Sequence, residues 1–379
     1  MPNRSPAPPR VLLVGPNPFE PRKSMWLFVE CLAAGLPSVG FAPRIFQPRF
    51  PRLGRIGESR AAKVALRLVL EAAQLRRAAR DADLVHVGDH ASAFHLLGGS
   101  LARKPKVVTC HDVFFIASTL VAGAAAPRRE RWWQERILRG IARSERVACV
   151  SRPTHDALKS LLADTALPAA RTSIIPICLF QTFAEQNAAG VAARLAALDP
   201  KLKPGGYVLH VGGNFARKNR EGVVRAFAAL GPERGLRLVL GGEPPDSALR
   251  RMIAHCGVEG LTTIVADASA ETLGILYQGA FALLFPSRAE GFGLPPIEAQ
   301  TLGCPVVCSD IPTHRENLAD TALFAEADDS AALASRLGTL ADPAVRRQFA
   351  ERGRANARRF SREAMFASYA RLYRELLPG

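Results

Sequence analysis

From Arg10 almost to the end of the chain, apolar runs of strand length alternate with stretches of helical period. RVLLVG at Arg10–Gly15 predicts a short buried strand, and Met25–Gly35 a helix. LVHVG at 84–88, KVVTC at 106–110, RVACVS at 146–151 and SIIP at 173–176 predict four more strands, separated by helical stretches such as 60–80 and 130–143. Their Val, Ile and Leu positions are continuous and do not alternate with polar ones, as expected of parallel strands covered on both faces. After a break at 183–206, which is rich in Pro, Gly and Lys towards its end, the pattern starts again. Strands are expected at 207–212, 237–241, 262–265, 281–286, 305–309 and 322–324. Two successive series of this kind predict an α/β protein of two doubly wound domains. The last stretch, 361–377, has Phe366, Tyr369, Leu372, Tyr373 and Leu376 on one helical face.

A length of 379 residues suits two domains of ordinary size. The predicted boundaries are 1–182, a linker over 183–206, 207–360, and a final helix over 361–379. Seven cysteines without a CxxC pair argue for buried free thiols in a reducing compartment, not for a disulfide frame or a zinc site. The polar, Pro-rich start has no apolar core of a signal peptide, and no run of about 18 apolar residues is present to span a bilayer. Charge changes the picture more. Residues 1–180 carry 27 Lys and Arg against 13 Asp and Glu, whereas 181–379 carry 23 against 21. The first half is therefore expected to face a polyanion: lipid, nucleic acid or a phosphorylated substrate.

The chemistry concentrates in two segments of the second half. In the first, the strand FALLFP opens into a loop holding Glu290, Gly291, Phe292 and Gly293, and a helix follows near Pro295, Pro296 and Ile297. A Gly-rich turn feeding a helix N-terminus offers free amides and the positive end of the dipole to an anion such as a pyrophosphate. Glu290 and Glu298 flank that turn, where carboxylates suit sugar or ribose hydroxyls better than phosphate. In the second segment, Arg217-Lys218-Asn219 follows the strand YVLHVG, and adjacent cations at a strand's C-terminal end can clamp a diphosphate.

Glu290, GFGLPPI and Glu298, with GCPVV and Arg315-Glu316 downstream, resemble the E-X7-E signature of the retaining GT-B glycosyltransferases of family 4, mannosyltransferase-like subgroup. The resemblance implies two Rossmann-like domains with the final helix returning to the first. It implies an acceptor on 1–182 and a nucleotide sugar on 207–360. Glu290 would contact the donor sugar, the Gly291–Gly293 amides the sugar and diphosphate, and Glu298 the ribose. Lys218, and less centrally Arg217, would neutralise the leaving diphosphate. His111, ending VVTCHD, would face the donor sugar. The expected site is thus Glu290, Lys218, Arg217 and His111 for chemistry, and Gly212, Gly213, Asn219, Gly291, Phe292, Gly293, Leu294 and Glu298 around the donor, with no metal and no cofactor beyond that substrate. Two positions depart from the family: Gly15 is followed by PNPFEP and Arg22 in place of a Gly-Gly pair, and IPIC at 175–178 stands where I-P-N-G is usual.

GDP-mannose and a lipid-linked saccharide are the first candidates for the substrates, ahead of UDP-hexoses and a soluble acceptor; a GT-B epimerase and a non-catalytic polyanion binder are the rivals. Asp81-Ala-Asp83 has the form of a metal-binding Asp-X-Asp but falls where acidic loop residues are common, and His86, Asp89, His90 and His95 match no zinc spacing. No RNA-binding motif with interleaved aromatics appears, so nucleic acid is not an expected partner. Residues 43–67 and 128–146 interleave Arg with Ile, Phe, Leu or Trp, a composition suited to an anionic membrane surface. Together these predict a cytoplasmic protein, peripheral at the inner membrane face.

Overall fold

The computed structural model describes residues 7–16, 19, 23–50, 59–98, 101, 103–121, 125–163 and 171–377. It forms two compact units, Met1–Phe180 with Arg362–Gly379, and Gln181–Ser361. Each is built on a six-stranded, wholly parallel sheet.

In the first unit the strands are β1 (Arg10–Val14), β2 (Ala42–Phe46), β3 (Leu84–Val87), β4 (Lys106–Cys110), β5 (Arg146–Cys149) and β6 (Thr172–Ile174). They are ordered β2-β1-β3-β4-β5-β6. Val11–Val14, Leu84–Val87 and Val107–Cys110 are almost wholly removed from water, the condition that their continuous apolar runs require. The helix Arg362–Arg374 belongs to this unit. Tyr369 and Tyr373 on it are fully buried; their hydroxyls lie 2.8 Å from Thr109 Oγ1 and 2.6 Å from His86 Nδ1. His86, expected in a strand, is thus a satisfied core residue whose other ring nitrogen meets Thr109 at 2.8 Å.

The second unit holds β7 (Tyr207–Gly212), β8 (Arg237–Gly242), β9 (Thr262–Ala266), β10 (Ala282–Phe285), β11 (Val306–Ser309) and β12 (Leu323–Ala325), in the order β12-β11-β10-β7-β8-β9. In both units the order reverses beside the first strand, between β1 and β3 and between β7 and β10. Loops leave the strand ends in opposite directions at such a point, and ligands of open α/β sheets bind there.

Two expectations need correction. The stretch 183–206 is not a bare linker: it contains the helix Ala188–Leu198, capped by Asn187, whose side chain accepts from the Gly190 amide, and packed into the second unit through buried Val191 and Leu195. Alanine-rich sequence gave that helix a weak apolar stripe. The other correction is β2, unforeseen because Pro43 and Arg44 interrupt its apolar pattern; an edge strand tolerates both.

Candidate active site

β7 runs into a short turn, Ala216–Lys218, and then the helix Arg220–Leu230. Asn219 makes the corner. It sits at φ +51°, its side chain accepts from the Gly222 amide, and its amide nitrogen donates to Pro286 O (3.2 Å) and Ala327 O (2.7 Å). Asn219 therefore lies under the cation loop as a brace, with both ends of its side chain committed to the protein. β10 runs into Pro286–Gly293 and then the helix Leu294–Thr301, which starts just before the expected prolines. Gly293 is the N-cap at φ +83°, a conformation that favours glycine. A Cβ there would stand 3.4 Å from His314 Cδ2.

These two loops bring together the groups singled out from sequence. Lys218 Nζ donates to Glu290 Oε1 at 2.6 Å, and Arg217 Nη1 to Glu290 Oε2 at 3.0 Å. The Glu290 side chain is 6% exposed, that of Lys218 12% and that of Arg217 34%. Burial pushes the Lys218 ammonium below its ordinary value. For Glu290 burial works upward, but the Lys218 and Arg217 charges outweigh it and hold the carboxyl below the usual range. Glu298 does not touch Glu290. It accepts from the Tyr277 hydroxyl at 2.8 Å, and burial pushes its carboxyl up.

Sequence reasoning missed the floor beneath these groups. Lys218 Nζ stands 4.8 Å from the centre of the Phe285 ring, a cation–π seat, with His210 and His314 on the same ring at 5.9 and 5.6 Å. His210 Nδ1 donates to Leu284 O (2.9 Å) and His314 Nδ1 to Ser309 O (3.0 Å). Burial lowers both pKa values, that of His210 to about 3, so both rings are neutral near pH 7. The Thr313 hydroxyl donates to the Glu290 carbonyl (2.7 Å), and Asn317 to the Phe292 carbonyl (2.6 Å), so the Gly-rich turn is pinned from the following helix. The Phe292 ring packs edge-on to Phe360 at 5.5 Å and is buried. Gly212 ends β7 and Gly213 follows it, where a Cβ on Gly213 would meet the Glu243 carboxylate. No spacing in the sequence signals this floor, because His210 on β7, Phe285 on β10 and His314 on the helix Pro312–Leu318 are far apart along the chain.

In the first unit His111 is buried. Its Nε2 donates to Gly88 O at 2.9 Å and its ring packs edge-on to Phe28 at 4.9 Å. Burial lowers its pKa to about 4. It thus stands at the C-terminal end of β4, beside that of β3, as a neutral imidazole. Asp83 of the Asp-X-Asp accepts from the Arg10 amide at 2.7 Å, and among the described residues no cluster of three His, Cys, Asp or Glu could hold a metal ion.

The basic segments divide. In 43–67, Ile45 and Phe46 belong to β2; Phe46 is in the core and Arg67 is buried, so neither of these two is free to meet a membrane. Arg52, Leu53, Arg55 and Ile56 lie outside the described residues. In the helix Arg128–Ala142, Trp133 packs on Phe94 at 4.6 Å, whereas Trp132 is 43% exposed under Arg136. Among the described residues no helix is long and apolar enough to cross a membrane.

Comparison with known proteins agrees with this arrangement. The family model "Glycosyl transferases group 1" matches residues 199–356, and "Glycosyltransferase Family 4" matches 27–178. O-antigen chain mannosyltransferase B of Escherichia coli is 35% identical over 163 residues, 42% of this chain and 43% of that protein. The GDP-mannose:cellobiosyl-diphosphopolyprenol alpha-mannosyltransferase of Xanthomonas oryzae pv. oryzae is 28% identical over 241 residues, 62% of this chain and 58% of that one. These matches span about half the length of the relatives. The crystal structure of Anabaena Alr3699/HepE with UDP and glucose superposes with a TM-score of 0.73 over 97% of this chain and 100% of that one, at 16% identity, a likeness of fold. Together with the two parallel six-stranded sheets, the matches place this chain in family 4 of the GT-B glycosyltransferases.

Proposed function

We propose that the protein transfers a hexose, with retention of configuration, from a nucleotide sugar to a saccharide acceptor. The meeting of Arg217, Lys218 and Glu290 at the ends of β7 and β10 carries this reading. Two cations suit a diphosphate, a carboxylate beside them suits sugar hydroxyls, and Glu298, held by Tyr277, suits the ribose. The bond from the sugar to the diphosphate breaks and a bond to the acceptor oxygen forms on the same face. The acceptor's proton passes to the leaving diphosphate oxygen. Arg217 and Lys218 stabilise the charge that develops there, without a metal.

The names of the relatives favour GDP-mannose as donor, with UDP-hexoses next, and a lipid-linked acceptor. Incubating the protein with a panel of GDP- and UDP-sugars, with and without EDTA, tests the donor reading through release of the diphosphate. Release from no sugar nucleotide would end it; an absolute need for Mg²⁺ or Mn²⁺ in the chemical step would return Asp81 and Asp83 to consideration. The acceptor is assigned to the first unit, at the inner face of the membrane. Exposed Trp132 and the exposed cations Arg128, Arg129 and Arg139 on one helix support docking on anionic lipid. Co-sedimentation with anionic vesicles at low salt, abolished by replacing the three arginines with Glu, is the expected result; pelleting that ignores the replacement would refute it.

A further inference from the structure

The two cations that suit a diphosphate are already neutralised by a carboxylate. Each oxygen of Glu290 holds one of them, at 2.6 and 3.0 Å, and the carboxylate is almost wholly buried. A diphosphate drawing Arg217 and Lys218 to itself weakens both pairs and leaves a buried carboxylate short of donors, which is costly away from water. Two neighbouring side-chain donors are engaged elsewhere: His314 Nδ1 with the Ser309 carbonyl, and the Thr313 hydroxyl with the main-chain carbonyl of Glu290 itself. Donors that arrive with the ligand restore the balance. The hydroxyls of a sugar attached to the diphosphate are such donors; a nucleoside diphosphate without its sugar keeps only those of its ribose and base, which the donor reading places at Glu298 and not at Glu290.

We propose that Glu290 makes the site select the intact sugar nucleotide over the spent nucleoside diphosphate, by competing with the diphosphate for Arg217 and Lys218. The inference rests on the donor reading above and adds a second role to the residue: besides contacting the sugar, Glu290 expels the product. Recapture of both cations by the carboxylate lowers the affinity for whatever diphosphate remains once the sugar has left. The competition is reciprocal, because a ligand that weakens the ion pairs is itself weakened by them to the same extent.

The test is equilibrium binding by calorimetry of GDP, UDP, GDP-mannose and UDP-glucose to the wild type, Glu290→Gln and Glu290→Asp. The wild type should bind at least one sugar nucleotide more tightly than its diphosphate. Glu290→Gln should bind that diphosphate about fivefold or more tighter than the wild type does, the usual scale of one coupling between contacts, and should lose the preference for the sugar form. A role confined to structure would weaken both ligands alike. Removing a buried counter-charge destabilises a fold, so Glu290→Asp, which keeps the charge but shortens its reach, is the second variant, with a smaller shift in the same direction. Unchanged or weaker diphosphate binding in a folded variant overturns the inference and leaves the donor reading intact. A wild type that binds none of the four nucleotides overturns both.

Discussion

Each unit holds a buried glutamate against an arginine, in very different surroundings. In the first unit, Arg67 and Glu71 lie in a π-helical stretch, Leu66–Glu71, with side chains 6% and 3% exposed. The Arg67 guanidinium sits 4.7 Å from the Phe94 ring and 5.6 Å from that of Trp133, and His95 Nε2 lies 2.9 Å from the second Glu71 oxygen. In the second unit, Glu290 is as deeply buried, but Arg217 is about one-third exposed and the pair stands where two strands end. A pair enclosed by aromatic rings, with buried His95 and Ser92 beside it, serves the fold. A pair with one exposed member at a strand switch point can exchange partners, and exchange is what a ligand needs.

The largest effect that sharpens this contrast is expected in the enclosed pair. Glu71→Gln leaves Arg67 buried without its counter-charge and should cost about 3–5 kcal/mol of stability, measured by urea unfolding. A loss below about 1 kcal/mol would mean that the aromatic box, not the ion pair, holds Arg67.

In the open pair the expected loss is in turnover. Lys218→Ala should lower kcat by about two orders of magnitude or more, on the scale of a lost transition-state contact. Near-normal turnover with the donor saturating would remove Lys218 from the chemistry and break the contrast.

Acid should act on the two units alike, because both use buried neutral histidines. The folded pKa values of His86 and His210 are lowered to about 3 and that of His111 to about 4, against an ordinary 6.5. The unfolded chain thus takes up protons that the fold refuses, and stability falls as pH drops from 6.5 towards 4 and 3. Each histidine should cost roughly 2 kcal/mol by about pH 5. Hydrogen exchange of β3 and β7 at falling pH would check this; protection retained in one strand while the other opens would show the two units to be unlike in this respect as well.

The legibility of the two units follows from the same contrast. Eleven strands were readable from their apolar runs, which the buried central strands require and which edge strands β6, β9 and β12 keep in shorter form. β2 was not, since an edge strand permits Pro43 and exposed Arg44. Glu290 and Lys218 were readable because strand-end chemistry collects in short contiguous segments. Their supports were not: Tyr277 reaches Glu298 across 21 residues, and Phe285 receives Lys218 from a neighbouring strand's loop. Arg67 and Glu71, four apart on an expected helix, could have been paired from spacing alone. What spacing does not give is burial, and Arg67 read as one more surface cation in a basic run.

The helix Arg362–Arg374 also sets an order of events. Residues 181–361 are one uninterrupted stretch and hold everything the second unit needs. The first unit, by contrast, keeps Tyr369 and Tyr373 in its core, against Thr109 and His86. A chain emerging from the ribosome thus presents residues 1–180 first but cannot complete their core until residue 373 has been made, by which time the second unit is already whole. The segment translated first is the last to close, and until then the surface that Tyr369 and Tyr373 cover stays open, the stage at which nascent chains most need protection from aggregation.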